Sequence, residues 1–201
     1  MHSGFGLFTE EHDAFRKLVR KVVNLEIKPH VAAWEEAEEF PRALFSRFAE
    51  LGFLGLKYSP DYGGTDAGFL YEAVLHEELG ACGSGGVAAG LGAQFTIATG
   101  PIHQYGTEAQ KRRFLAPAIA GLKIGALGVT EPGAGSDVAG LATSARLKGD
   151  RYVVKGAKTY ITNGVRADFV VVAVKTDPSR GHKGLSLLIV EKGTPGFTVG
   201  K

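Results

Sequence analysis

The sequence predicts an α+β chain: an N-terminal all-α helical bundle, then a mainly antiparallel β domain in the form of a barrel or sandwich. Three observations carry this. From about residue 9 to 120, apolar residues recur at three- and four-residue steps. Beyond about residue 122 the pattern changes to short aliphatic runs between glycine turns. A run of helices followed by a run of strands marks α+β chains or two domains. The division is therefore placed between a helical domain over 1–121 and a β domain over 122–201.

Thr9-Glu10-Glu11-His12 reads as a helix start, a hydroxyl cap ahead of an acidic first turn. Phe15, Leu18, Val22 and Leu25 then form an apolar stripe, with Arg16, Lys17, Arg20 and Lys21 between them. The stripe runs to Lys28-Pro29, where proline marks a bend or a continuation. A second helix is expected over 41–51. Pro41 suits its first turn, Gly52 its exit, and Leu44, Phe45, Phe48 and Leu51 form its apolar face. Residues 57–68 are a loop by turn chemistry. A third helix covers 69–79, with Leu75 and Leu79 four apart. A fourth, 84–99, is built from small residues such as Gly85, Gly86, Ala88, Gly90 and Gly92. Glycine in a helix interior costs about 0.5–1 kcal/mol against alanine. A run of it implies close approach of another helix or of a ligand. Thr107 caps a fifth helix over 108–120, ending before Gly121.

In the second part, 124–129 is an apolar run of strand length. Residues 144–147 and 151–154 flank Lys148-Gly149-Asp150 and read as a hairpin. Lys158 to Thr162 is a strand candidate. The runs 169–174 and 185–190 are aliphatic and β-branched, hence buried strands, and Phe197 to Val199 starts one more.

The composition is that of an ordinary soluble globular chain: 201 residues, 44% hydrophobic and 22% charged. Lys and Arg number 23 against 21 Asp and Glu, a net charge of +2 that argues against a nucleic-acid or anionic-membrane partner. No stretch approaches the length of a membrane span. Met1-His2-Ser3-Gly4-Phe5 shows no secretory signal. The single cysteine, Cys82, excludes an intrachain disulfide, fits a reducing compartment, and reads as a small buried or loop residue. The six histidines have no metal-ligand spacing, so no metal site is expected. Glycine is unusual at 29 residues, about twice its ordinary share. Eight fall in residues 1–80 and 21 in residues 81–201.

Two stretches carry chemistry. In Val129-Thr130-Glu131-Pro132-Gly133-Ala134-Gly135-Ser136-Asp137 a strand feeds a loop rigid at Pro132 and permissive at its glycines. Amides there can converge on an anion, with Ser136 adding a hydroxyl. The dinucleotide pattern Gly-x-Gly-x-x-Gly is not met, because Val138 stands in the third glycine's place. An anion cradle and a plain glycine turn fit the spacing equally well. In Tyr160-Ile161-Thr162-Asn163-Gly164, strand alternation would put Tyr160 and Thr162 on one face, where a plane and a hydroxyl suit a flat heteroaromatic ring. Alone, it also reads as an edge strand entering an Asn-Gly turn.

Together the stretches are specific. Thr130-Glu131-Pro132-Gly133-Ala134-Gly135-Ser136-Asp137, followed by Lys158-Thr159-Tyr160-Ile161-Thr162-Asn163-Gly164, resembles the acyl-CoA dehydrogenase family. Leu51-Gly52-Phe53-Leu54-Gly55, Pro60-Asp61-Tyr62-Gly63-Gly64 and Tyr105-Gly106-Thr107-Glu108-Ala109-Gln110-Lys111 are similar to other parts of that family.

The resemblance implies FAD as cofactor and oxidation of a fatty acyl-CoA to the trans-2-enoyl thioester. A carboxylate takes the α-proton, the β-hydrogen leaves as hydride to the flavin, and electrons pass to an electron-transferring flavoprotein. It implies that backbone groups of Leu127 and Val129 and the Thr130 hydroxyl contact the flavin. Gly135 and Ser136 then lie where pyrophosphate and CoA meet, Ser136 also touching substrate. Tyr160 lies against the isoalloxazine, where many members carry tryptophan, and Ile161 and Thr162 adjoin it, Thr162 near the hydride-accepting nitrogen. The family's C-terminal helical domain, with its catalytic glutamate, has no counterpart here; no catalytic base is named and it is expected beyond Lys201. A homo-oligomer, dimer or tetramer, and a cytoplasmic or mitochondrial-matrix location follow from the same resemblance. The competing readings are a non-catalytic module of the same fold and a relative of acyl-CoA oxidases or nitroalkane oxidases.

Overall fold

The first helix, α1, spans Glu10–Val22 and begins where the acidic turn predicts it, with the Thr9 N–H donating to His12 Nδ1 at 3.1 Å. A π-helical segment, Val23–Ile27, and a 3-10 turn, Lys28–His30, carry the chain past Pro29 into α2, Val31–Glu36. Proline thus marks a continuation. The wider π turn rotates the stripe. Val19, Val22, Val23 and Ile27 are buried, whereas Leu18 and Leu25, expected inside, are 45% and 63% exposed. The computed structural model describes residues 6–200, so the reading of Met1 to Phe5 lies outside the described residues.

Helix α3, Ala43–Glu50, buries Leu44, Phe45 and Phe48 and ends at Gly52, whose φ of 75° is the left-handed exit. Helix α4, Phe69–Gly80, packs on α1, where Arg20 forks onto the buried Glu78 at 2.7 and 2.8 Å. Helix α5, Gly85–Gly92, is capped by Ser84 Oγ, which accepts from Val87 N at 3.0 Å. Its small residues are needed at two positions. A Cβ on Gly90 would lie 2.7 Å from Phe40 Cζ, and one on Gly92 3.0 Å from His76 Cε1. Close approach of Phe40, in the loop before α3, and of His76 on α4 therefore explains part of the run. A π segment, Ala93–Ala98, extends α5 into α6, Gly100–Tyr105, which the sequence reading missed. The fifth predicted helix appears as α7, Glu108–Gln110, a π segment, Lys111–Leu115, and α8, Ala116–Ile119, with Thr107 Oγ1 accepting from Gln110 N at its start. Cys82 is buried, its thiol donating to Ser84 O.

The strands are β1, Gly125–Gly128; β2, Ser144–Lys148; β3, Arg151–Lys155; β4, Phe169–Lys175; and β5, Leu185–Glu191. They make one mixed sheet around β4, which is buried over Phe169–Val174. Strand β5 pairs β4 antiparallel from Phe169↔Glu191 to Lys175↔Leu185, and β2–β3 is the predicted hairpin, turning at Gly149 with φ 63°. Strand β1 runs parallel to β4 in register Gly125↔Phe169, a pairing the mainly antiparallel expectation did not contain. The single bridge Ser144↔Lys175 joins β2 to the end of β4.

Two expected strands do not form. Lys158 to Thr162 is irregular loop, with Tyr160 left-handed at φ 55°, and Phe197 to Val199 is also irregular. The alternation argument that placed Tyr160 and Thr162 on one strand face therefore fails.

The helical and strand parts meet in a mixed cluster that includes Tyr58, Ile102, Phe114, Leu115, Phe169 and Val171. Gln94, fully buried, pins the junction: Nε2 donates to Ala118 O at 3.1 Å and Lys123 O at 2.8 Å, and Oε1 accepts from Gly125 N at 2.8 Å.

Candidate functional site

Strand β1 delivers its C-terminal end into the loop that carries the first motif. The loop folds back on itself at Glu131–Ala134, where Glu131 N donates to Ala134 O at 2.8 Å and Ala134 N returns to Glu131 O at 3.2 Å. Pro132 and Gly133 form the tip. Gly133 and Gly135 face open space, with nothing within 4 Å of a built Cβ and no left-handed φ at either. Packing within the chain does not account for glycine at these positions. Gly135 and Ser136 are both exposed.

The second motif is laid directly against the first. Thr159 N donates to Thr130 O at 2.9 Å. Beside it, Lys158 Nζ reaches Val129 O at 3.0 Å and Glu131 Oε1 at 2.7 Å. Glu131 is buried and also accepts from Ala142 N at 2.6 Å and Thr143 N at 3.0 Å. Burial works against its charge, but the Lys158 ammonium and the two amides outweigh it and hold the carboxyl at about 2. Glu131 is thus a structural carboxylate, ionised at neutral pH and held by three hydrogen bonds.

The loop then exposes its aromatic residue. Tyr160 is 92% exposed and holds a left-handed backbone that a bulky residue rarely adopts. Thr162 is exposed and Ile161 half-buried. Asn163, left-handed at φ 63°, ends the segment by donating Nδ2 to Gly90 O at 2.8 Å.

Tyr160, Ile161 and Thr162 line a groove of about 1430 Å³, floored by β4 and β5 residues such as Val170, Val172 and Ile189. Leu127, Val129, Thr130, Gly135 and Ser136 line neither this groove nor the smaller cavity of about 420 Å³ beside it. That cavity takes Glu131, Pro132 and Gly133, and it shares Thr143, Gly156 and Ala157 with the groove.

Leu127 presents its main chain to the uncovered edge of β1. Gly125 N points away from β4, toward Gln94. Main-chain groups alternate in direction along a strand, so those of Leu127 point the same way as those of Gly125. Motif reading gave no role to Lys158, Asn163 or Gln94, which fix the two motif loops and the start of β1. Lys158 and Asn163 lay inside the second motif; Gln94 carried no sequence signal. Among the described residues, no group of three or more His, Cys, Asp or Glu side chains is placed to hold a metal ion, and no helix is long and apolar enough to cross a membrane.

Comparison with known proteins gives these observations a family. Residues 9–122 match the family model described as acyl-CoA dehydrogenase, N-terminal domain, and residues 126–201 match acyl-CoA dehydrogenase, middle domain. The chain is 41% identical over 194 residues to a short-chain specific acyl-CoA dehydrogenase of Clostridium acetobutylicum, covering 96% of this chain and 51% of that protein. The crystal structure of an acyl-CoA dehydrogenase from Geobacillus kaustophilus superposes with a TM-score of 0.91 at 45% identity, over 96% of this chain and 51% of the other. A glutaryl-CoA dehydrogenase from Mycobacterium smegmatis, crystallised in complex with FADH2, gives a TM-score of 0.88 at 34% identity, over 95% and 48%. The chain spans about half the length of the relatives it matches. With both motifs joined on one side of β1 and both family models matched in succession, the chain belongs to the acyl-CoA dehydrogenase family.

Proposed function

We propose that residues 1–121 and 122–201 are the helical and β domains of an FAD-dependent enzyme that oxidises an acyl-CoA thioester to its trans-2-enoyl form. The observation that carries this reading is the Thr159 to Thr130 hydrogen bond, which brings two flavin-type segments into one surface. The residues present suit FAD. Leu127 offers a main-chain donor and acceptor on an uncovered edge, as the lactam edge of a flavin ring requires. Val129 adds its N–H, its carbonyl being engaged by Lys158, and Thr130 adds a hydroxyl. Tyr160 supplies a bare aromatic face. Ile161 flanks it, and the Thr162 hydroxyl serves the hydride-accepting end of the ring. Gly133 and Gly135, whose missing side chains serve no packing in this chain, leave room for a close-lying pyrophosphate. Ser136 serves both this group and CoA.

FAD, when bound, supplies the acceptor for the hydride that leaves the β-carbon. This chain's residues orient the ring and shield one face from water. Glu131 is engaged by Lys158 and two main-chain amides and does not serve as the catalytic base, which the family resemblance assigns to a glutamate of the C-terminal helical domain. Electron-transferring flavoprotein as acceptor and a homo-oligomer belong to the same proposal.

Reconstitution with FAD tests it. The expected result is a stoichiometric flavin complex of the protein containing this chain, bleached anaerobically by acyl-CoA, with negligible turnover for the 201-residue chain alone. A tight complex with a different cofactor, and none with FAD, would overturn the reading. Oxygen consumption in place of flavoprotein reduction would assign the oxidase chemistry instead.

A further inference from the structure

We propose that Lys158, held in place by Glu131, is a positioning residue that sets the ring-edge segment Val129–Thr130 against the ring-face segment Tyr160–Thr162. The inference rests on the flavin reading and deepens it by giving a function to a buried ion pair.

Four observations converge on it. First, the grip is double: consecutive residues Lys158 and Thr159 hold consecutive residues Val129 and Thr130, one through an ammonium at 3.0 Å and one through the main chain at 2.9 Å. Second, the pair is out of water, with the Lys158 and Glu131 side chains 11% and 6% exposed. A buried ion pair is seldom better for stability than apolar residues of the same shape, so its presence calls for a role in placement. Third, the backbone makes room for it. A Cβ on Gly128 would sit 3.4 Å from Lys158 Cγ and 3.3 Å from Val170 Cγ1. The lysine stem therefore lies directly over the β1 main chain, at contact distance from where a side chain would begin. Fourth, no sheet ladder holds the segment that follows. Residues 159–162 are irregular, and Tyr160 is left-handed. The loop is fixed at Lys158–Thr159 and again where Asn163 meets Gly90. Tyr160 and Thr162 hang between these points, so moving the first point moves the aromatic plane. Glu131 extends the restraint to the residues before β2 by accepting from the amides of Ala142 and Thr143.

The test compares wild type, Lys158→Met and the double variant Glu131→Gln/Lys158→Met in the FAD-loaded protein. It reads three quantities: the FAD dissociation constant, the fluorescence of bound FAD, and the thermal midpoint after FAD removal. A tyrosine stacked on the ring quenches flavin fluorescence, so fluorescence reports Tyr160 placement and not stability. Lys158→Met leaves Glu131 buried and unpaired, and its thermal midpoint is expected to fall. The double variant removes both charges, and its midpoint is expected to recover in part, because one of the Ala142 and Thr143 amides then faces the glutamine NH2. If the pair positions the segment, the double variant still binds FAD roughly 10-fold more weakly and shows brighter bound flavin. A double variant with wild-type affinity and quenching overturns the proposal and leaves the pair a structural element. Failure of the wild type to bind FAD at all overturns the flavin reading itself, which separates the two outcomes.

Discussion

Asn163 donates its side-chain amide to the main-chain carbonyl of Gly90 at 2.8 Å, tying the turn after Thr162 to helix α5. The contact is possible because Gly90 has no side chain: a Cβ there would meet Asn163 Oδ1 at 3.2 Å as well as the Phe40 ring. Asn163 also holds φ 63°, a conformation asparagine tolerates better than most residues. Asn163→Ala loses both the bond and the backbone fit and is expected to cost about 2 kcal/mol. Asn163→Gly loses only the bond and costs about 1 kcal/mol. Urea unfolding of the two variants checks this; equal losses would show that the backbone conformation contributes nothing.

Gln94 serves three main-chain groups at the junction of the helical and strand parts. Gln94→Leu keeps the volume but strands Gly125 N and Lys123 O, whereas Ala118 O keeps the Gly121 N–H at 3.1 Å. Each unsatisfied group costs roughly 1–3 kcal/mol, so a loss of at least about 2 kcal/mol is expected. The denaturant slope should also fall, as the two parts begin to unfold separately. A slope unchanged from wild type would locate their coupling in the apolar cluster alone.

The acid limb of stability should bear the mark of Glu131. Its carboxyl is held at about 2, below the ordinary 4.5. A group depressed in the folded state stabilises fully above its unfolded value and loses that contribution as pH falls through its folded value. The window is therefore from about 4.5 down to about 2, and the contribution is about 3 kcal/mol. Glu131→Gln should flatten the stability profile across this window and leave its shape above pH 5 unchanged. Thermal midpoints measured from pH 2 to 7 in both proteins provide the comparison.

Tyr160 couples stability to binding in opposite senses. Its ring is 92% exposed, so truncation removes little packing, while its left-handed backbone is strained. Tyr160→Gly is expected to raise stability by about 1 kcal/mol and to weaken FAD binding. Parallel melts and flavin titrations read the two effects. A variant that loses stability would mean that the exposed ring packs on its neighbours in solution.

How much of this was legible depended on how local each signal is. Helix α3 and its Gly52 exit, the Thr107 cap and the β2–β3 hairpin are written in adjacent residues, and they form as read. The segment 158–162 misled because lysine, threonine, tyrosine and isoleucine compose like a strand, and propensity carries no sign of a left-handed tyrosine. The parallel register of β1 on β4 was invisible, since two apolar runs do not state their relative direction. Helix α6 was overlooked because Gly100 and Pro101 open it. Motif resemblance proposed the eight site positions, and the Thr159 to Thr130 bond brings the two motifs together. The Lys158–Glu131 bond was not legible, because a separation of 27 residues has no periodicity to betray it.

The junction contacts also dictate an order of assembly. Arg42 pairs with Asp168, 126 residues away, and Arg166 Nη1 donates to Phe40 O at 2.9 Å across the same span. Closing so long a loop costs entropy before any contact repays it. Within the helical part, by contrast, Arg47 reaches Glu26 across 21 residues. During synthesis the helices therefore emerge and pack while the strand that must brace them is still untranslated. Until residues 166–168 emerge, the Phe40 carbonyl lacks its Arg166 donor and Arg42 lacks its Asp168 partner, and the nascent chain carries an open face that later residues close.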